Sequence, residues 1–216
     1  MDDRPKRSIY GLGQFGQDCF VDKILDMDGG FFLDIGAGIS HQSVDSTPIY
    51  SMSNTYWLEN QRNWTGIGID YDETYINAAK QVRPCKLICV DLMENNINEI
   101  LEQNDCPETV DYLSFDVDDA QSKVFSELDF SKYRFRVITY EHNLFRGNTE
   151  EHEMSRAAFE ALGYRLLFGN VGYMIENGLA EQRPVEDWYV DAEIFQKYKH
   201  LAGSDLYPTD AILRLE

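Results

Sequence analysis

The chain has 216 residues, of which 43% are hydrophobic and 13% aromatic, and its formal net charge at pH 7 is −19. This length suits one domain with a full-sized core and leaves little room for a second. The apolar content argues against a disordered chain. The strongly negative charge argues against a nucleic-acid partner, because phosphates would be repelled at long range.

The first 13 residues are polar, so we expect a flexible lead-in followed by a single domain over residues 14–216. We find no signal peptide and no apolar run long enough to cross a membrane. The four cysteines form no C-x-x-C pair, which fits a reducing compartment. These features predict a cytoplasmic protein without membrane insertion.

Apolar spacing predicts helices and strands that alternate along the chain. The predicted helices include Gln14–Met27, one that begins at Asp72, Met93–Gln103 and Glu150–Leu162. The predicted strands are Phe31–Ile35, Thr65–Asp70, Cys85–Val90, Val110–Phe115, Phe135–Tyr140, Tyr164–Phe168 and Asp187–Val190. This alternation indicates an α/β fold with a mostly parallel central sheet of about seven strands flanked by helices. In such sheets ligands bind beyond the carboxyl ends of the strands.

The first predicted strand runs into a glycine turn that includes Gly36, Ala37 and Gly38. The glycines let the backbone pass close to a ligand, and the preceding Asp34 places a carboxylate there for a cofactor ammonium group. A nicotinamide site is expected to carry a third glycine, but His41 stands at that position. The turn alone is also compatible with an ordinary tight turn.

The next two strands also end in acidic residues. Asp70 can accept hydrogen bonds from both ribose hydroxyls of a nucleoside, with Tyr71 beside it, unless it merely caps the next helix. Asp91 can accept from an adenine amino group while Leu92 packs on the ring. Three successive strands that carry aspartates at their ends predict an adenosyl-binding edge.

Several blocks of the sequence resemble FkbM-like methyltransferases, and they occur in the same order. The resemblance runs from about Gln14 to Asn143, with a weaker echo at Asp187–Val190. It implies a class I, Rossmann-like methyltransferase fold, bound S-adenosylmethionine and O-methylation, commonly of sugars or polyketide-type hydroxyls. The blocks are Gln14–Asp18, Gly29–Gly38, Ser53–Glu59, Trp64–Asp70, Asp111–Asp118 and Ile138–Asn143.

The chain departs from the family pattern after the glycine turn. Residues 39–52 intervene before Ser53-Asn-Thr, so that Asp34 and Asp70 lie 36 positions apart. The insert is either a lid that grips the substrate or a surface loop. Asn54, at the expected start of a helix, is the preferred cofactor contact in this region.

Asp116, Glu141 and His142 follow the fourth and fifth strands, whose ends are neighbours in a parallel sheet. Methyl transfer to an alcohol requires alignment of the reactants and removal of a proton. His142 is one candidate for the general base, oriented by Asp116 or Glu141. Alternatively, Asp116, Glu141 and His142 bind Mg²⁺ or Mn²⁺, which would lower the pKa of the substrate hydroxyl. Asp116 is also predicted to lie next to the cofactor.

The sequence therefore predicts an S-adenosylmethionine-dependent O-methyltransferase that acts on a small-molecule or glycan hydroxyl. An NAD(P)-dependent oxidoreductase and a non-catalytic nucleoside-binding module are the alternatives. The oligomeric state and the identity of the acceptor do not follow from the residues.

Overall fold

The computed structural model describes residues 12–39, 52–142, 144–147, 149–176 and 178–215. Side-chain caps begin several of the helices: Asp72 accepts from the amides of Thr74 and Tyr75, and Asn96 and Asp191 act likewise for two later helices. These are the polar residues that helix starts favour. In the described part of the chain the α-helices are α1 (Gln17–Leu25), α2 (Tyr56–Arg62), α3 (Glu73–Ala79), α4 (Ile97–Gln103), α5 (Gln121–Glu127), α6 (Thr149–Ala161), α7 (Ala192–Tyr198) and α8 (Pro208–Leu213).

The strands form one large sheet and a separate hairpin. They are β1 (Phe31–Ile35), β2 (Thr65–Asp70), β3 (Lys86–Cys89), β4 (Thr109–Phe115), β5 (Arg134–Glu141), β6 (Arg165–Val171), β7 (Met174–Glu176), β8 (Leu179–Glu181), β9 (Glu186–Val190) and β10 (Gly203–Ser204). The order in the large sheet is β10-β6-β9-β5-β4-β1-β2-β3, while β7 pairs with β8 outside it. Every pairing in the large sheet is parallel except those of β9, which runs antiparallel to β5 and β6.

The predicted mostly parallel sheet is thus confirmed, with eight strands among the described residues. Apolar side chains cover both of its faces. On one face Phe20 of α1 stacks on Trp188 of β9 with ring centroids 4.7 Å apart. On the other face Phe159 of α6 lies 4.5 Å from the ring of Tyr189. Burial of each such side chain contributes roughly 2–3 kcal/mol.

The topology brings the functional strand ends to one edge. The carboxyl ends of β1, β2, β3, β4, β5 and β6 lie there, and antiparallel β9 begins at the same edge with Glu186. The β7–β8 hairpin connects β6 to β9 and therefore also stands at this edge. Within the ranges that the structure describes, no helix combines the length and apolarity needed to span a membrane.

Candidate active site

The glycine turn after β1 brings two strand ends into contact. Gly36 has φ +96°, and a Cβ atom there would lie 1.7 Å from the carbonyl oxygen of Asp116. Only glycine fits, because both the backbone angle and the space exclude a side chain. The amides of Gly36 and Ala37 donate to the carbonyl of Ile69 at 2.8 and 3.0 Å. The turn therefore lies between the ends of β2 and β4.

Asp70 at the end of β2 faces this turn. Its Oδ2 accepts from the amide of Gly38 at 2.8 Å, and its Oδ1 accepts from the amide of Asp72 at 2.9 Å. Burial raises the pKa of Asp70. Because Asp72 supplies the side-chain cap of α3, Asp70 is not needed as its cap. Tyr71 follows with 74% of its surface exposed. The structure brings together the predicted glycine turn and ribose-binding carboxylate, while their contacts to a cofactor stay a prediction.

Asp91 and Leu92, the two predicted adenine contacts after β3, differ in their exposure. Asp91 is exposed, and its Oδ1 accepts from the amide of Met93 at 2.8 Å. Leu92 is only 5% exposed and packs in the apolar layer that contains Ile69 and Ile97. Asp91 therefore lies at the expected edge, whereas Leu92 has little surface left for the predicted contact with adenine.

Asp34 departs from its expected role. The carboxylate is 3% exposed, and its Oδ2 accepts from the Thr55 hydroxyl at 2.6 Å and from Arg83 Nη1 at 3.4 Å. The carboxylate predicted to hold a cofactor ammonium group is already engaged by two partners from its own chain. Direct binding of the ammonium group by Asp34 accordingly stays a prediction.

Asn54 lies nearby with an unused polar atom. Its Nδ2 donates to the Ser114 hydroxyl at 3.0 Å, whereas its Oδ1 is buried and has no hydrogen-bond partner. A buried carbonyl oxygen without a partner is costly. A donor supplied by a ligand would satisfy this atom, which supports the predicted role of Asn54 near the cofactor.

Asp116 and Glu141 form a pair of neighbouring carboxyl groups at the ends of β4 and β5. Burial raises the pKa of both carboxyl groups, and a hydrogen bond from the Asp116 carboxyl to Glu141 raises the pKa of Asp116 further. The two carboxyl groups thus share a proton, with Glu141 as the acceptor. Of the three predicted catalytic residues, the structure brings these two together.

A third carboxyl group, that of the buried Glu186, adjoins this pair. It stands opposite Glu141 in the register of β5 and β9. Its oxygens accept from Gln17 Nε2 at 2.5 Å and from Trp188 Nε1 at 2.7 Å. Burial raises the pKa of Glu186 to about 8, and the neighbouring Asp116 contributes to this rise.

The structure separates His142, which was predicted as general base, from the carboxyl pair. His142 directly follows Glu141, and successive side chains on a strand point to opposite faces. Its ring lies 4.3 Å from that of His152, and the side chain is 0% exposed. Burial lowers the pKa of His142 to about 4. A histidine turned away from the carboxyl pair and out of contact with solvent is poorly placed to take a proton from an acceptor.

The predicted metal ligands Asp116, Glu141 and His142 do not converge either. Among the described residues, the one group of three potential ligands whose atoms lie within 4.8 Å of one another is His142, His152 and Asp187. The Nε2 atoms of both histidines are buried without a hydrogen-bond partner. They lie 3.7 and 3.4 Å from the carboxylate of Asp187.

The chemistry of this group does not suit a metal. The carboxylate of Asp187 accepts hydrogen bonds at all of its usual lone-pair positions: from Arg156 Nε and Nη2 at 2.6 and 2.7 Å, from the Asn170 amide at 2.9 Å and from the Tyr189 hydroxyl at 3.0 Å. The Nδ1 of His142 accepts from the amide of Leu144 at 3.3 Å, so the neutral ring carries its proton on Nε2. A protonated nitrogen cannot bind a cation. The group is better described as a hydrogen-bonded junction between α6 and the sheet.

The functional neighbourhood also contains residues that the sequence analysis missed. Glu186 adjoins the carboxyl pair and accepts from Gln17. Arg83 contacts the glycine turn, and Thr55 contacts Asp34 just before it. Gln17 and Thr55 lie within blocks that resemble FkbM-like methyltransferases, which was a usable signal. Nothing in the local sequence marks Arg83. The insert over residues 39–52, including His41, lies largely outside the described residues, as do positions 1–11 of the expected lead-in.

The sequence and the fold are similar to those of known methyltransferases. Residues 86–166 match the model of the methyltransferase FkbM domain. The fold is similar to that of precorrin-6y C5,15-methyltransferase from Geobacter metallireducens, with 15% identity, a TM-score of 0.52, and coverage of 88% of this chain and 94% of that one. It is also similar to PH1948 of Pyrococcus horikoshii, a candidate RNA methyltransferase, with 14% identity, a TM-score of 0.51, and coverage of 82% and 81%. No curated protein sequence matches the chain.

At these identities the structural similarity concerns the fold, and the family model supplies the connection to methyl transfer. Together they favour a methyltransferase over the oxidoreductase and the binding module. The glycine turn, with Asp70 facing it, lies at the sheet edge where this fold binds its cofactor. The chain has the fold of class I methyltransferases, and its residues 86–166 match the methyltransferase FkbM domain, which indicates a methyltransferase that depends on S-adenosylmethionine.

Proposed function

We propose that the chain transfers a methyl group from S-adenosylmethionine to a hydroxyl group of a sugar or glycan. The observation that carries this proposal is the Asp116–Glu141 carboxyl pair, which lies beside the glycine turn. The backbone of Asp116 contacts Gly36, and the carboxyl of Asp116 is hydrogen-bonded to Glu141. A group able to accept a proton therefore stands next to the cofactor edge.

The residues proposed to bind the cofactor lie mainly at the ends of the first three strands. Gly36, Ala37 and Gly38 let the backbone approach the ligand, and Asp70 accepts from the ribose. Tyr71 and Asp91 flank the adenine, while Leu92 supports this edge from the apolar layer beneath it. The free Oδ1 of Asn54 accepts from the ammonium group of the methionyl part. This assignment gives Asn54 the role first expected of Asp34, because the Asp34 carboxylate is occupied.

Glu141 is the proposed general base. S-adenosylmethionine, when bound, supplies a methyl group on a positively charged sulfur that leaves as a neutral thioether. The chain's task is to remove the hydroxyl proton as the oxygen attacks. Glu141 takes that proton on the carboxylate that already accepts from Asp116. Its pKa is raised by burial, which brings a carboxylate closer to the pKa that suits a base near neutral pH.

The charges around this corner support an acceptor without phosphate groups. Asp116, Glu141 and Glu186 adjoin one another here. The nearby cation Arg146 is already paired with Asp118 at 2.8 Å. Because the pair shares one proton and Glu186 is protonated below about pH 8, this corner carries a single negative charge at neutral pH. That charge disfavours a phosphorylated acceptor, whereas carboxyl groups form hydrogen bonds with neutral hydroxyl groups. This argument favours a glycan over the RNA acceptors for which some structural neighbours are named.

An aromatic surface next to the carboxyl groups also suits a sugar ring. Tyr173, after β6, is 36% exposed and packs edge-on against Phe15 at 5.8 Å. The amide of Phe15 donates to Gln17, which in turn donates to Glu186. Tyr173 is therefore connected to Glu186 through Phe15 and Gln17. Its exposed ring offers an apolar face to an acceptor.

The proposal does not require a metal ion. The carboxyl pair shares a proton, and the predicted nitrogen ligand His142 lies on the other side of the strand. Treatment with EDTA is therefore expected to leave turnover unchanged. A loss of turnover that Mg²⁺ or Mn²⁺ restores would contradict this part of the proposal.

The test separates cofactor binding from chemistry. Methyl transfer is measured against a panel of methyl glycosides, and binding of S-adenosylhomocysteine is measured by calorimetry. Glu141→Gln is expected to lower kcat strongly at unchanged affinity for S-adenosylhomocysteine. Glu99→Gln, on the exposed face of α4, is the matched control for loss of one charge. Wild-type turnover in Glu141→Gln would refute the assignment of the base.

A further inference from the structure

Arg83 lies in the segment between α3 and β3. Its side chain is completely buried. Arginine is almost never fully buried unless its charge is compensated. Burial by itself would lower the pKa of Arg83, but the surrounding groups, with Asp34 and Glu59 prominent, raise it overall. The guanidinium group is therefore charged in the protein interior.

The guanidinium group makes four hydrogen bonds, which lead to α2 and its N-cap residue on one side and to the end of β1 and the glycine turn on the other. Nε donates to Glu59 of α2 at 2.7 Å. Nη2 donates to the hydroxyl of Thr55, which itself donates to Asp34. Nη1 lies 3.4 Å from Asp34 Oδ2 and 3.5 Å from the carbonyl oxygen of Ala37. Arg83 thus joins α2 to the end of β1 and to the glycine turn.

We propose that Arg83 is a positioning residue that holds the glycine turn in the conformation that binds the cofactor. Two of its contacts, to Asp34 and to the carbonyl of Ala37, bracket the turn. This inference rests on the cofactor site assigned above, because the turn is its first component.

Arg83 acts on the glycine turn in two ways, by fixing the position of Ala37 and by compensating buried negative charge. Ala37 lies between Gly36, which touches Asp116, and Gly38, whose amide donates to Asp70. A movement of Ala37 would therefore displace the turn relative to both carboxylates. Without the guanidinium group, Asp34 and Glu59 would also be left as buried carboxylates without their cation, which is strongly unfavourable.

Thr55 provides independent support. It stands at the N-cap position of α2, yet its side chain makes no capping hydrogen bond. The hydroxyl of Ser53 accepts from the amides of Thr55 and Tyr56 instead. The Thr55 hydroxyl is thereby committed to the contact between Arg83 and Asp34.

The matched control is Arg62. It is ion-paired with three carboxylates, Asp22, Asp26 and Asp28, at 2.5, 2.8 and 3.1 Å. Its carbonyl accepts from the amide of Gly29, just before β1, so it lies at the opposite edge of the sheet from the glycine turn. Arg62→Met therefore tests what loss of a similar ion-pair cluster does to the fold alone.

The experiment compares the full-length wild type with Arg83→Met, Arg62→Met and Thr55→Val. Binding of S-adenosylhomocysteine is measured by calorimetry, and unfolding is followed in urea. We expect Arg83→Met and Thr55→Val to weaken binding by at least about tenfold. We expect Arg62→Met to bind with wild-type affinity even where it loses as much stability. Wild-type affinity in both Arg83→Met and Thr55→Val would overturn the proposal, as would equal weakening by Arg62→Met.

Thr55→Val keeps the guanidinium group, so it tests the proposal if Arg83→Met fails to fold. Hydrogen exchange without ligand gives a second readout at the amides of Gly36, Ala37 and Gly38, each of which is hydrogen-bonded. Exchange should be faster in Thr55→Val and unchanged in Arg62→Met. If the wild type binds no S-adenosylhomocysteine, the cofactor site fails while the exchange comparison still decides the role of Arg83. Unchanged exchange in Thr55→Val would then refute it.

Discussion

Glu186 offers the sharpest test of the electrostatics at the site. It is 2% exposed, and burial raises its pKa from a usual 4.5 to about 8. The folded protein thus favours the protonated form. The resulting stability is fully present below pH 4.5 and is lost as the pH rises through 8. Over the whole range the loss is about 5 kcal/mol, and between pH 5 and pH 8 it is about 3–4 kcal/mol.

The substitution Glu186→Gln removes this titration. Glutamine has one acceptor oxygen for the two donors Gln17 and Trp188, so it should lower the free energy of unfolding by a constant amount at low pH. As the pH rises, the wild type should lose the stability that depends on protonated Glu186, and the variant should not. The difference between their free energies of unfolding should therefore shift in favour of the variant. Urea unfolding of both proteins at pH 5 and pH 8 measures this change, which we expect to be about 3 kcal/mol.

The comparison has a built-in control. All other titrating groups are common to the two proteins, and the exposed variant Glu99→Gln reports the effect of removing one negative charge from the surface. If the wild type and Glu186→Gln differ by the same amount at both pH values, within about 0.5 kcal/mol, then Glu186 is ionised in the folded protein. The description of the carboxyl cluster given above would then be refuted.

Three further outcomes are expected. Asp70→Asn should weaken S-adenosylhomocysteine binding by about 10- to 100-fold, since a ribose hydroxyl loses a charged acceptor; unchanged calorimetry would contradict the ribose contact. Gly36→Ala should lower the free energy of unfolding by about 2–5 kcal/mol, because φ is +96° and a Cβ would collide with Asp116; a wild-type urea midpoint would contradict this. The lowered pKa of His142, about 4, predicts that the fold loses about 3 kcal/mol as the pH falls from 6.5 to 4. Replacement by Asn should remove most of that loss in acid unfolding curves, and identical curves would contradict it.

Local patterns along the chain were sufficient for the fold class. The strands β1 and β2 begin and end where the sequence analysis placed them, and Asp72 caps α3 as expected. These elements are set by short-range alternation of apolar residues and by capping, which a single sequence displays. The Gly36–Gly38 turn was identifiable for the same reason, since glycine is required wherever φ is positive and a backbone approaches closely.

The neighbours of the Glu141 and His142 side chains could not be predicted from such local patterns. Glu141 and His142 are adjacent in the chain, but the strand directs them to opposite faces. The sequence analysis treated both as one constellation, whereas the structure pairs Glu141 with Asp116 and places His142 beside His152. Which neighbours a side chain meets depends on strand register and on the packing of α6, and neither is visible in the residues around position 142.

The sequence by itself determined the alternating elements, the parallel sheet and the edge at which the glycine turn and Asp70 stand. Only the tertiary structure decided that Arg83 is hydrogen-bonded to Asp34, that Glu186 lies beside the carboxyl pair and that His142 lies away from Asp116 and Glu141. The first set depends on interactions between residues a few positions apart. The second depends on contacts such as Gln17–Glu186, which are 169 positions apart. Burial and pairing of charges arise only when the folded chain brings such distant groups together and excludes water from them.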